Sequence, residues 1–373
     1  MKVLLSALWP VGGIRTFFRY VYGSPHFADV DVTLVGPDVG LSHFLKYNAP
    51  ETRITVQACE QSAGDLLKAT RQALIAGEFD LLHSHGFSAG AVSEVARFGK
   101  RVPHLMTAHD VFLPTMFSGV KGAVKQAGLG YLFRRMDMIH AVTDDGAANV
   151  HEYVSGLVGD KVRPILHGVD ADYFAAAARR NVEAEVALPS DSFVIGFFGR
   201  FMAQKGFRTL ADAVRLLVDE RRISRPIKVL TFGWGGFIRE DYAYVESLGL
   251  ADHFVQMPAT NDPAGWMKAV DVVAMPSRWE ACGLLGMEAL CAGAPIVGTH
   301  CIGLREVLQG SPAPMVPPRD ARALADALAT MADPNAREAF QAYQATAVER
   351  FSVDRPARAL RALYSELVEG RHE

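Results

Sequence analysis

Cysteine is scarce in this chain, with four among 373 residues. No two of them stand two to four residues apart, the usual spacing of paired zinc ligands, so a disulfide framework and a clustered zinc site are both disfavoured. Buried free thiols in a reducing, cytosolic compartment are expected instead. Neither sign of charge dominates: 38 Lys and Arg stand against 41 Asp and Glu, for a net charge of -3. That balance gives no support to non-specific nucleic-acid binding. No apolar run reaches the roughly 20 residues a membrane span needs. The opening "MKVLLSALWPVGGIR" lacks a small-x-small cleavage site and reads as a buried strand entering a glycine loop. Also missing are G-x-G-x-x-G, a Walker loop, and a D-x-D convincingly placed at a strand end, which disfavours dinucleotide, P-loop and metal-diphosphate chemistry.

What is present is an alternation of short apolar runs with helix-compatible segments, as in βαβ proteins. Strands are expected at Lys2–Leu8, Val30–Val35, Arg53–Gln57, Phe79–His83, His104–Ala108, Met138–Val142 and Val162–Leu166. A second series follows at Phe193–Phe198, Ile227–Phe232, His253–Met257, Val272–Met275 and Pro295–Gly298. These runs are rich in Val, Ile and Leu without strict alternation, as suits a parallel sheet covered on both faces. The expected class is α/β with two Rossmann-like domains: 1–170, a linker at 171–190, and 191–350. The tail from about Arg319 looks helical throughout; its last part, 351–373, reads as a helix with the option of packing back on the N-terminal domain. Open α/β sheets bind ligands at the carboxyl ends of their strands, so chemistry is expected in the loops after strands.

Three such loops carry glycine. In "WPVGGIR", Gly12 and Gly13 allow close approach of a phosphate or sugar, or simply make a tight turn. In "VIGFFGRFMAQKGF", Arg200 and Lys205 either converge on a diphosphate or are solvated surface charges. "IKVLTFGWGG" places Gly233 and Gly235 after a strand and reads by itself as an ordinary turn.

The stretch "SRWEACGLLGMEALCAGAP" sets Glu280 and Glu288 among small, apolar and sulfur-bearing residues, poor surroundings for two plain surface salt bridges. Glu280 falls in a strand-to-helix loop and Glu288 inside a helix running from about Gly283 to Ala292. Amides near Gly283 and Leu284 are then free donors for a phosphate. Carboxylates are strong acceptors for the hydroxyls of sugars and riboses.

At these residues the sequence resembles retaining glycosyltransferases of the GT-B fold, glycosyltransferase family 4. "SRWEACGLLGMEALCAGAPIVGT" is similar to that family's E-x7-E segment, and "GGIR", "LLHSHG", "TAHD", "GVDADYF", "FFGRFMAQKGF" and "GLREV" extend the resemblance over nearly the whole chain. The resemblance implies two parallel-sheet domains facing a central cleft. It implies that Glu280 holds donor-sugar hydroxyls and Glu288 the ribose, and that Arg200 and Lys205 neutralise the leaving diphosphate. Cys282, Gly283, Leu284, Gly233, Gly12 and Gly13 would line the donor site, and His109 would lie by the reacting sugar. No metal and no cofactor are expected, because the nucleotide-sugar is a substrate. By resemblance, Asp144 and Asp145 of "TDDG" start a helix, in an N-cap role.

The sequence departs from the family at His167, where Asn is frequent, at Ile302, which replaces a glycine, and in the proline-rich "QGSPAPMVPP". A UDP-sugar is the expected donor, with GDP-mannose second, and a saccharide or lipid-linked hydroxyl is the expected acceptor. His43, His83 and His85 are acceptor-side candidates. The basic, partly apolar stretch "MFSGVKGAVKQAGLGYLFRR" fits either a solvated domain helix or peripheral contact with the inner face of the cytoplasmic membrane. Two rival functions stand beside transfer: a nucleotide-sugar epimerase of the same fold and a non-catalytic sugar-nucleotide-binding partner subunit. Release of nucleoside diphosphate only in the presence of acceptor separates transfer from both.

Overall fold

The computed structural model describes residues 1–157, 159–189 and 191–370. Two compact units share the chain, one formed by residues 1–168 together with those from 353 onward, the other by Val169–Ser352. Ser190 of the expected linker and the last three residues of the expected closing helix lie outside the described residues.

The first unit is built on a seven-stranded sheet. Its strands are β1 (Lys2–Ala7), β2 (Asp31–Gly36), β3 (Ile54–Ala58), β4 (Leu81–His85), β5 (His104–Ala108), β6 (Met138–Ala141) and β7 (Val162–Pro164). Their order is β3-β2-β1-β4-β5-β6-β7, with every pairing parallel. Side chains alternate across each strand. Val3, Leu5 and Ala7 of β1 enter one buried cluster, while Leu4 enters another on the opposite face. With both faces covered, the strands need no polar alternation. The helix Asp354–Glu369 completes the first of these clusters with Ala357, Leu360, Leu363 and Tyr364.

The second unit has six strands: β8 (Phe193–Phe198), β9 (Ile227–Phe232), β10 (Phe254–Gln256), β11 (Val272–Met275), β12 (Ile296–Thr299) and β13 (Met315–Val316). Their order is β10-β9-β8-β11-β12-β13, again with parallel pairings. Phe193, Ile195 and Phe197 of β8 pack with Phe201 and Phe207 in its core. Each such buried side chain contributes on the order of 1.5–3 kcal/mol by leaving water.

Several boundaries differ from expectation. β4 lies two residues later than expected, so it carries His85 as well as His83. β13 was not foreseen; it is two residues long and sits in the proline-rich stretch, where Pro314 still supplies a carbonyl to Gly298 N–H. The region expected as a linker holds the helices Ala171–Ala176 and Val182–Glu185 and is part of the second unit. The tail is not helical throughout: it forms Ala321–Thr330, Ala336–Phe351 and Asp354–Glu369, with breaks between them. In "TDDG" the cap is Thr143, which accepts from Gly146 N–H, and the two aspartates are the first helical residues.

Candidate functional site

In the second unit, β8 and β11 are neighbours in the middle of the sheet, and the loops after them carry most of the candidate residues. After β8 the chain runs through Arg200 and a short turn, Ala203–Lys205, into the helix Phe207–Asp219. Gly206 joins turn to helix at φ 69°, and a Cβ there would stand 1.9 Å from the Pro276 carbonyl oxygen. Only glycine lets the first loop lie so close to the end of β11. Gly233, after β9, has φ 136°, and a Cβ there would meet the Gly199 carbonyl at 2.1 Å. Backbone crowding therefore binds three strand-end loops together. Gln204 adds to this: its side-chain amide donates to the Trp279 carbonyl at 2.9 Å, and its own carbonyl accepts from Arg278 N–H at 2.7 Å.

This packing brings Lys205 to Glu280. Lys205 Nζ donates to Glu280 Oε1 at 2.7 Å, and Ser277 Oγ donates to the same oxygen at 2.6 Å. Glu280 is buried, at 6% exposure, and its own N–H donates to the Ile302 carbonyl at 3.1 Å. A buried carboxylate thus has a cation and a hydroxyl, the pairing such burial requires. One oxygen, Oε2, keeps its acceptor capacity, and the ammonium keeps two further donors. Ile302, where the resemblance led us to expect glycine, takes part through its backbone carbonyl.

Three residues past Glu280, Gly283 caps the helix Leu284–Cys291, with no side chain closing the cap. Its first amides are donors, and the helix adds partial positive charge at that end. Cys282 is buried beside it. Glu288 lies within this helix, as expected, and is partly buried. Burial pushes its carboxyl up to about 7, while the nearby Lys205 charge acts in the opposite direction. No hydrogen bond is recorded for its carboxylate among the described residues. Arg200 is exposed and unpaired among the described residues.

The remaining candidates belong to the first unit. Gly12 caps the five-residue helix Gly13–Phe17. His109 follows β5 and is partly exposed; its Nε2 lies 2.9 Å from His85 Nδ1. Burial, then the neighbouring His85, His167 and His140, hold its pKa well below the ordinary histidine value. His83 and His85, considered above as acceptor-side candidates, are 0% and 1% exposed and serve as internal hydrogen-bonding groups, whereas His43 is at the surface. His167 is buried, and its Nε2 has no hydrogen-bond partner among the described residues.

Sequence reasoning missed Ser277 and Gln204, the two polar side chains that hold Glu280 and its loop in place. Their only signal was nearness, Ser277 three residues before Glu280 and Gln204 next to Lys205. It also missed Tyr22, whose hydroxyl meets His83 and His85. Among the described residues, no group of three or more His, Cys, Asp or Glu is placed to hold a metal ion. No helix among them is long and apolar enough to cross a membrane.

Comparison with known proteins gives the family and the fold. A family model for group 1 glycosyl transferases matches residues 192–333, and one for the glycosyl transferase 4-like domain matches residues 12–166. The D-inositol 3-phosphate glycosyltransferase of Corynebacterium urealyticum is 30% identical over 329 residues, 82% of this chain and 75% of its own. Its namesake from Xylanimonas cellulosilytica is 29% identical over 334 residues, 84% and 78% of the two chains. Among solved structures, Anabaena HepE in complex with UDP-glucose matches with a TM-score of 0.81 at 21% identity, over 98% of this chain and 99% of that one. The chain belongs to the group 1 glycosyltransferases, glycosyltransferase family 4, and is a glycosyltransferase of the GT-B fold.

Proposed function

We propose that this glycosyltransferase moves a hexose from a UDP-sugar to a hydroxyl of a saccharide or lipid-linked acceptor, with retention of anomeric configuration and without a metal. GDP-mannose is the second donor to test. The observation that carries the reading is the 2.7 Å contact between Lys205 and buried Glu280, three residues before the Gly283 helix cap, which no side chain closes. Glu280 holds hydroxyls of the donor sugar and Glu288 the ribose. Arg200, Lys205 and the amides at Gly283 and Leu284 receive the diphosphate, with Cys282 and Gly233 shaping the same site. Gly12, Gly13 and His109 act from the first unit, His109 on the reacting sugar.

In the reaction the bond from the anomeric carbon to the diphosphate oxygen breaks, leaving its electron pair on the diphosphate. Fixed cations and helix amides meet that charge as it forms, which lowers the barrier without reorganisation. The acceptor hydroxyl then bonds to the same face of the sugar and passes its proton to the departing phosphate oxygen. UDP is supported as the nucleotide by the UDP-glucose complex of HepE. D-inositol 3-phosphate, from the name carried by the sequence relatives, belongs in the acceptor screen. Val120 and Val124, 83% and 68% exposed beside Lys121 and Lys125, support peripheral membrane contact. Free cysteines support a reducing compartment.

The test is thermal stability with UDP, GDP, ADP and TDP in EDTA, on wild type and Glu288→Ala. A nucleotide at about 100 times its Kd adds roughly 2.7 kcal/mol of apparent stability. UDP is expected to stabilise wild type, and the variant much less. Stabilisation that appears only with added divalent metal would overturn the metal-free site, and a β-linked product from an α-linked donor would overturn retention.

A further inference from the structure

Phe17 is fully buried in the first unit, and the rings of His85, His109, His140 and His167 pack against it at centroid distances of 5.1–6.2 Å. Three of these histidines join His83 in one hydrogen-bonded chain whose protons can be placed from one end. The Ile165 carbonyl can only accept. His140 Nε2 lies 3.1 Å from it, so Nε2 carries the proton and Nδ1 is an acceptor. Thr107 Oγ1 therefore donates to His140 Nδ1 at 3.0 Å and accepts from His83 Nε2 at 2.7 Å.

His83 Nδ1 is then an acceptor, and the nearest donor is the Tyr364 hydroxyl at 2.6 Å. With that proton committed, Tyr22 donates to the Tyr364 oxygen at 3.0 Å. The Tyr22 oxygen accepts from His85 Nε2 at 2.9 Å, and His85 Nδ1 accepts from His109 Nε2 at 2.9 Å. Reversing the direction at Tyr22 leaves either two tyrosine oxygens facing each other with no proton between them, or His83 Nδ1 without a donor. Unmade hydrogen bonds of this kind inside a protein are costly. Burial and mutual repulsion keep His83, His85 and His109 neutral, as the chain requires.

We propose that Tyr22 and His85 are positioning residues for His109, fixing it as the tautomer protonated on Nε2 and leaving Nδ1 as a bare acceptor. Nδ1 so prepared accepts a hydrogen bond from a hydroxyl and offers no donor to a phosphate, while the acceptor's proton still passes to the departing phosphate oxygen. The effect on turnover rests on the reading above that His109 acts on the reacting sugar; the tautomer itself does not.

The two tyrosines separate this role from a merely structural one. In Tyr364→Phe, the Tyr22 hydroxyl turns to His83 Nδ1, 3.0 Å away, and its oxygen still accepts from His85. In Tyr22→Phe, His85 Nε2 loses its acceptor and the direction of the chain beyond it is lost. The experiment is long-range nitrogen–proton NMR of the full chain labelled in histidine, with the His109 signal identified by its absence in His109→Gln. Wild type and Tyr364→Phe are expected to show His109 protonated on Nε2, and Tyr22→Phe a mixture of tautomers. With saturating substrates, Tyr22→Phe is expected to lower kcat by about 10-fold with donor KM little changed, by analogy with the low end of the losses that follow removal of a partner orienting a metal-bound histidine. A His109 proton on Nδ1 in wild type, or a tautomer unmoved by Tyr22→Phe, overturns the proposal. If the tautomer behaves as stated and His109→Gln turns over normally, the positioning stands and the role of His109 in transfer falls.

Discussion

Glu288 carries a cost that its proposed role explains. Its carboxyl is raised from an ordinary 4.5 to about 7 by burial. A raised acid pKa means that the folded state holds the proton more tightly than the unfolded one. The associated stability is full below about pH 4.5 and is lost as pH rises through about 7. Glu288→Gln is therefore expected to stabilise the protein above pH 7, by up to about 3 kcal/mol, and to change little at pH 4.5. Nucleotide affinity should fall in the same variant. Denaturant midpoints at the two pH values and a UDP titration check both parts, and a variant less stable than wild type at pH 8 would contradict the account. Both glutamates were legible in the sequence because carboxylates in a run of small apolar residues invite a reason. Their supports were not. Ser277 and Gln204 are ordinary polar residues until the fold brings them to Glu280 and Trp279, and nothing local marks them.

Among the elements, the strand-end loops of the second unit depend on backbone contact rather than on side chains. Gly206→Ala is expected to cost more than about 1 kcal/mol, because the native φ of 69° and the Pro276 carbonyl both reject a Cβ. Since relief requires the loop to move, Lys205 should lose its register with Glu280, and transfer activity should fall further than stability does. Urea unfolding beside UDP release would show this, and equal activity at unchanged stability would contradict it. Most strands could be read from their apolar runs, since a sheet covered on both faces leaves little ambiguity. The failures came where the pattern is weakest. The expected β4 lies early because Ser84 and His85 do not look like a strand, yet both are buried there and hydrogen-bonded. β13 was hidden by prolines that cap its short pairing rather than interrupt it.

At the scale of the whole molecule, the two units differ in how they hold charge. The first unit keeps His83, His85, His104, His109, His140 and His167 neutral by burial, the pKa values of His140 and His167 being lowered to about 4. A histidine with a depressed folded pKa takes up its proton earlier in the unfolded state. Stability therefore falls as pH drops below the unfolded value of about 6.5, by about 1.4 kcal/mol per pH unit for each fully linked histidine. The first unit is expected to unfold before the second on acidification from pH 6.5 towards 4. Histidine and tryptophan probes report the two units separately: three of the four tryptophans, Trp234, Trp266 and Trp279, belong to the second. Simultaneous loss of both, or loss of the second first, would contradict this. The division into two Rossmann-like halves was legible from the two series of strands, whereas the histidine chain was not, because its members are far apart in sequence and meet only across adjacent strands. The helix Asp354–Glu369 has a consequence for synthesis. Its Tyr364 is wholly enclosed in the first unit and bonded to Tyr22 and His83. As the chain leaves the ribosome, the first 168 residues emerge without this piece of their interior, and the entire second unit is made before it arrives. Of the two units, the one whose synthesis starts first is thus the last to have its core completed.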